Sequence, residues 1–205
     1  MKKVIITKCM DYIKKNTEYD DIKLKEIEYG IVGIYLTITK LIIIFILAIL
    51  LGIFKEVIKF LFIFNILRAT AFGLHATKSW ICLLSSMLIF IGIPIISMNI
   101  YIDVYIKIVI NVICCIFILK NAPADTKKRP IVRKKRRLIY KILSLITALI
   151  FSILSITINN QFISNCLLFS LILQNLLISP LVYKLFKLPY NNYITYLKEH
   201  PDFTQ

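Results

Sequence analysis

Six apolar blocks, set apart by short polar or charged stretches, constrain this chain more than any other feature. Residues 31–54, 80–98, 101–119, 138–158 and 162–183 each approach the ~20 residues a helix needs to cross a bilayer core. The sixth, 57–67, reaches that length only by running on through Arg68 to about His75. Lipid supplies no hydrogen-bond partners, so a spanning segment must be a helix or part of a closed barrel. A barrel needs alternating segments of about ten residues, which this sequence lacks. The pattern predicts an all-α integral membrane protein with about six transmembrane helices. Its composition, 59% hydrophobic and 18% charged, departs in the same direction from a soluble domain's ~45–50% and ~25%.

The formal net charge of +15 raises the question of nucleic acid, and its distribution answers it. Lys and Arg number seven in residues 1–29, two in 68–79, ten in 120–141 and three after Tyr183, while the connectors 99–100 and 159–161 carry none. With the basic segments in the cytoplasm, six spans alternate without conflict and both termini lie inside. Topology thus accounts for the charge, and no nucleic-acid partner is expected. The expected location is the cell membrane, crossed several times.

The whole of 1–205 reads as a single membrane domain. Residues 1–29 form a cytoplasmic N-terminal segment, 31–119 the first four spans, 120–141 a basic loop, 138–186 the last two spans and 187–205 a cytoplasmic tail. The first 28 residues lack the apolar core of a cleavable signal, so the first span is expected to be permanent. Near the start, Ile5, Ile6, Cys9, Met10 and Ile13 share one helical face, with lysines elsewhere, which suits an amphipathic helix on anionic lipid. Lys40 is expected to snorkel from a helix beginning near Thr37, and Asp103 and Lys107 to pair along one helix face. Pro94 and Pro180 should kink or weaken their spans. Asn65, Asn111, Asn165, Gln174 and Asn175 are expected to bond between helices.

Five cysteines without a C-x-x-C pair argue against a disulfide framework. Two distant histidines, His75 and His200, offer no zinc-type ligand set. Neither a metal nor another cofactor is expected, and no phosphate-binding loop supports a nucleotide-driven pump.

One pairing remains. His75 and Cys82 lie at the predicted cytoplasmic end of the second and third spans. A histidine can take the proton of a cysteine and make it a nucleophile. On one unbroken helix seven residues rise ~10.5 Å, too far for a hydrogen bond, so the chain must bend between them. Gly73 permits such a bend, and Thr77 or Ser79 offers a cap for the next helix. Cys114, Cys115 and Cys166 fall inside apolar blocks, where burial keeps a thiol inert. The residues alone leave both readings open: bystanders in a helical bundle, or a nucleophile and its base.

The pattern R-x4-G-x-H-x6-C, formed by Arg68, Gly73, His75 and Cys82, resembles the core of the AgrB family of membrane cysteine endopeptidases. The segment "APADTKKRPI", followed by a basic run, is similar to that family's central cytoplasmic loop. The resemblance implies that Cys82, activated by His75, cleaves the acidic C-terminal tail from a small AgrD-like peptide precursor. An acyl-enzyme thioester would form and then close to a thiolactone or lactone ring used in quorum sensing. It implies supporting or substrate-binding roles for Arg68, Gly73, Lys127, Lys128 and Arg129, and an active site at the cytoplasmic face. Anionic membrane lipids and a second copy of the chain, as a homodimer, complete the expected partners. Asn65 and Asp125 are the sequence's offers for a group that orients the histidine. A peptide exporter, or a non-enzymatic immunity or scaffold protein, is the competing reading, and it would leave Cys82 dispensable.

Overall fold

The structure is a computed structural model that describes residues 2–17, 19–74, 79–126 and 130–199. Among them every extended regular element is an α-helix. The chain divides into two compact units, Met1–Gly52 and Ile53–Gln205.

The first unit is a helix pair, α1 (Lys2–Asn16) packed against α2 (Asp21–Leu50). Ile6 and Met10 are buried and Ile13 is half-buried, one turn apart each, whereas Ile5 and Cys9 are exposed. The expected apolar face thus holds both positions packed within this unit and positions left exposed. Asp20 caps α2 by accepting the amide of Lys23 at 3.0 Å. The helix then runs 30 residues, or ~45 Å. It passes Thr37 without a break, so Lys40 lies well inside a long helix and not near the start of one.

The second unit holds the site. Its helices are α3 (Phe54–Ala71), α4 (Ser79–Asn99), α5 (Val104–Asn121), α6 (Lys134–Thr157), α7 (Gln161–Ile178), α8 (Pro180–Leu185) and α9 (Asn192–Glu199). Helices α2, α4, α5, α6 and α7 are long and apolar enough to cross a membrane. The sixth block, α3, ends at Ala71, before His75, and carries Lys55, Glu56, Lys59 and Arg68. Together with its cap residue Ile53, it buries Val57, Phe60, Phe64, Leu67 and Ala71. That 4-3-4-3-4 spacing makes one continuous seam.

Helix α7 packs against α3, α4, α5 and α6 and is the centre of this unit. Phe60 and Phe64 of α3 stack at 6.1 Å and meet Phe90 of α4 at 5.9 Å each. Small residues Ser144, Ala148, Ser152 and Ser155 let α6 approach its neighbours closely. Outward positions such as Ile106, Val109, Ile113, Leu149 and Ile153 are exposed apolar side chains, as a lipid-facing surface requires.

The polar residues at membrane depth divide. Asn111 donates to Ser155 Oγ at 2.8 Å and Asn165 to the carbonyl of Ile100 at 2.7 Å. Gln174 reaches Phe72 at 2.7 Å. Asn65 and Asn175 instead turn back to their own helices, on the carbonyls of Leu61 and Leu171. Asp103 and Lys107 do not pair. Asp103 caps α5 through the amide of Tyr105 at 2.8 Å, and Lys107 is buried against Ser164 Oγ at 2.6 Å. The carboxylate satisfies a helix-end donor that has no other partner, which leaves the lysine to a hydroxyl of α7. Pro94 is buried within a continuous α4. Pro180 does not kink a span, because α7 has ended at Ile178 and the proline starts α8, where its missing N–H costs nothing.

Candidate active site

Beyond Ala71 the chain abandons the helix. Phe72 has φ 53° and Gly73 φ 113°. A Cβ on Gly73 would sit 2.6 Å from the carbonyl oxygen of Leu177 and 2.8 Å from Nη1 of Arg68. Only glycine fits there, in dihedrals and in space.

The turn is bonded on every side. Arg68, at the end of α3, folds its guanidinium over it and donates to the carbonyls of Phe72, Gly73 and Leu74 at 2.5, 3.3 and 2.5 Å. Its planar fork suits several acceptors at once in a way that an ammonium does not. Of the partners open to this arginine, the structure shows backbone carbonyls. Leu74 N donates to Leu177 O at 2.9 Å, at the end of α7. The ring of Phe72 packs edge-on against Tyr140 of α6, 4.8 Å between centroids.

The fourth side is the loop after α5. Phe72 and Ala124 form a parallel bridge: Ala124 N donates to Ala71 O at 3.1 Å and Gly73 N to Ala124 O at 2.9 Å. Two segments far apart in sequence, the arginine–glycine turn and the "APAD" loop, thereby become adjacent backbone. His75 follows this clamped turn directly, but it and Thr77 lie outside the described residues, as do Lys127, Lys128 and Arg129. Cys82 itself stands in the first turn of α4, which the structure describes from Ser79, and is half-buried. Cys114 and Cys166 are buried in the bundle and Cys115 lies 3.3 Å from Ser152 Oγ, away from this turn.

Both sequence candidates for orienting the histidine have partners of their own. Asn65 is exposed and bonded within α3. Asp125, 3% exposed, accepts Asn192 N at 2.9 Å and Tyr193 N at 2.8 Å, with Ile131 N at 3.4 Å and Arg137 at 3.9 Å. Both of its oxygens are committed to a structural knot. Its carbonyl accepts the hydroxyl of Tyr183 at 3.0 Å. Burial pushes the Tyr183 phenol well above its ordinary range, against the pull of the Arg68 charge, so it stays protonated as the donor. Burial raises the Tyr190 phenol likewise, opposed by Arg137.

Sequence reasoning missed Gln174, Leu177, Tyr183, Arg137 and Asn192 as parts of this frame. Gln174 stood out as a polar residue in an apolar block; the contacts of Leu177 are made by backbone and leave no trace in side-chain chemistry.

Comparison with known proteins bears on this arrangement. The family model for Accessory gene regulator B matches residues 6–178. A putative AgrB-like protein of Clostridium acetobutylicum is 29% identical over 181 residues, covering 88% of this chain and 87% of its own. The accessory gene regulator protein B of Staphylococcus aureus strain Newman is 32% identical over 145 residues, 70% of this chain and 77% of its own. A putative AgrB-like protein of Listeria monocytogenes is 28% identical over 171 residues, 83% and 84% of the two chains. No solved structure gives a significant match.

Proposed function

The chain belongs to the accessory gene regulator B family of quorum sensing, and from that premise we propose that it is a membrane cysteine endopeptidase in which Cys82 is the nucleophile and His75 its base. The observation that carries this reading is the clamp. Arg68, Gln174, Leu177 and Ala124 all spend hydrogen bonds on the three residues that precede His75. Phe72, Gly73 and Leu74, from which the chain runs on to His75, are thereby held in one backbone arrangement at the edge of a membrane bundle. Catalysis needs such prepaid positioning, whereas a plain connector between two helices does not.

In the proposed reaction His75 takes the Cys82 proton and the thiolate attacks a carbonyl of the peptide precursor. The C–N bond breaks, and the departing amine on the acidic tail takes the proton back from His75. The acyl group is left on sulfur as a thioester. A thiol or hydroxyl of the precursor's own chain then attacks that thioester, closing a ring and restoring Cys82. Exchange of one thioester for another is nearly balanced, so loss of the acidic tail draws the sequence forward. Lys127, Lys128 and Arg129, in the basic loop at the cytoplasmic face, supply the complementary charge for that tail.

Co-expression with the small precursor tests the reading. Cys82→Ala and His75→Ala should each abolish release of the tail while the protein accumulates normally in the membrane. Tail release by Cys82→Ala within threefold of the wild-type rate would leave an exporter or a non-enzymatic scaffold in its place.

A further inference from the structure

Residues 124 and 125 face opposite ways. The backbone of Ala124 is paired with the turn at Phe72. Asp125 belongs to the C-terminal arm: its carboxylate holds the first amides of α9, and its carbonyl takes the Tyr183 hydroxyl and Asn192 Nδ2 at 3.3 Å. The two roles share one rigid unit. Ala124 O, which accepts Gly73 N, lies in the same planar peptide as the amide of Asp125, so it cannot tilt independently of that residue. From the α6 side Arg137 closes the knot, stacked 3.7 Å over the ring of Tyr193 and 3.9 Å from the Asp125 carboxylate.

We infer that Asp125 is a positioning residue, fastening the arm of residues 183–193 to the 122–126 loop and thereby fixing the turn at Phe72 and Gly73, two residues before His75 in sequence. The ion pair with Arg137 is too long to explain so deep a burial. What holds the carboxylate is the set of backbone N–H groups from two later segments. A buried acceptor of that kind is costly to leave half-satisfied. Helices α8 and α9 lie beyond the residues 6–178 that the family model matches. The inference rests on the proposed function only where it concerns catalysis; the mechanical coupling stands by itself.

The test uses the full chain in lipid nanodiscs carrying Asp125→Asn, whose amide nitrogen cannot accept where an oxygen did. Hydrogen exchange at the Gly73 and Leu74 amides should quicken at least tenfold. With precursor peptide, kcat per inserted molecule should fall at least tenfold while KM stays within threefold. Deleting residues 191–205 should do the same and carries the test if Asp125→Asn fails to accumulate. Thr195→Ala, at an exposed position of α9 outside these contacts, should match wild type. Wild-type exchange at Gly73 and Leu74 in both variants overturns the inference, as does a rise in KM with kcat unchanged. A wild-type protein that never cleaves, but whose variants still loosen Gly73 and Leu74, sinks the proposed function and upholds the coupling.

Discussion

Replacing Gly73 with alanine adds a single methyl group at the most crowded point of the turn. That carbon would stand 2.6 Å from Leu177 O and 3.0 Å from Leu177 C, both backbone atoms at the end of α7, which cannot swing aside as a side chain does. The φ of 113° is a second obstacle, since an L-residue held in a sparsely populated region costs about 1–3 kcal/mol. Relief requires moving the turn away from α7, which breaks the 2.9 Å bond from Leu74 N to Leu177 O and adds about 1 kcal/mol. The sum, about 3 kcal/mol, corresponds to a loss of roughly 150-fold in the population of the clamped turn. Thermal unfolding in detergent, followed through the single tryptophan, Trp80 in the first turn of α4, measures the effect. Gly73→Ala should lower the midpoint and abolish processing. Gly92→Ala, where an added Cβ meets nothing within 4 Å, should leave the midpoint unchanged or raise it slightly. If Gly73→Ala unfolds and processes like wild type, the reasoning about this turn is wrong.

Arg68→Lys should insert normally but process precursor at least tenfold more slowly, because one ammonium cannot span the three carbonyls that the guanidinium fork holds; wild-type processing would reduce Arg68 to a topological charge. Single cysteines at Asn99 and Asn160, in a background freed of the native five, should react with an impermeant thiol reagent on intact cells. One at Arg136, an exposed position at the start of α6, should not; labelling there from outside would invert the expected topology.

The helices were legible because a bilayer demands long apolar runs, and α4, α5 and α6 fall within a few residues of their blocks. Turn chemistry was legible where it depends on one residue, as at Gly73. What stayed hidden was contact made by backbone. The bridge between Phe72 and Ala124 and the bond from Leu74 to Leu177 involve atoms that every residue has, so no side-chain pattern announces them. Competing partners also misled. Asp103 and Lys107 have ideal spacing for an ion pair, yet the helix end claims the carboxylate and Ser164 the ammonium. The partners of Asp125 were hidden too, because they come from an arm distant in sequence.

The central claim is that Cys82 becomes acylated by the precursor. Membranes holding the wild-type protein, mixed with precursor peptide and quenched in acid, can be digested and analysed by mass spectrometry. The account predicts that the peptide containing Cys82 gains the mass of the precursor without its C-terminal tail. The adduct should be removed by neutral hydroxylamine and be absent from Cys82→Ala. Release of the tail with no acyl group on Cys82 at any time, or the adduct on another cysteine, would contradict it.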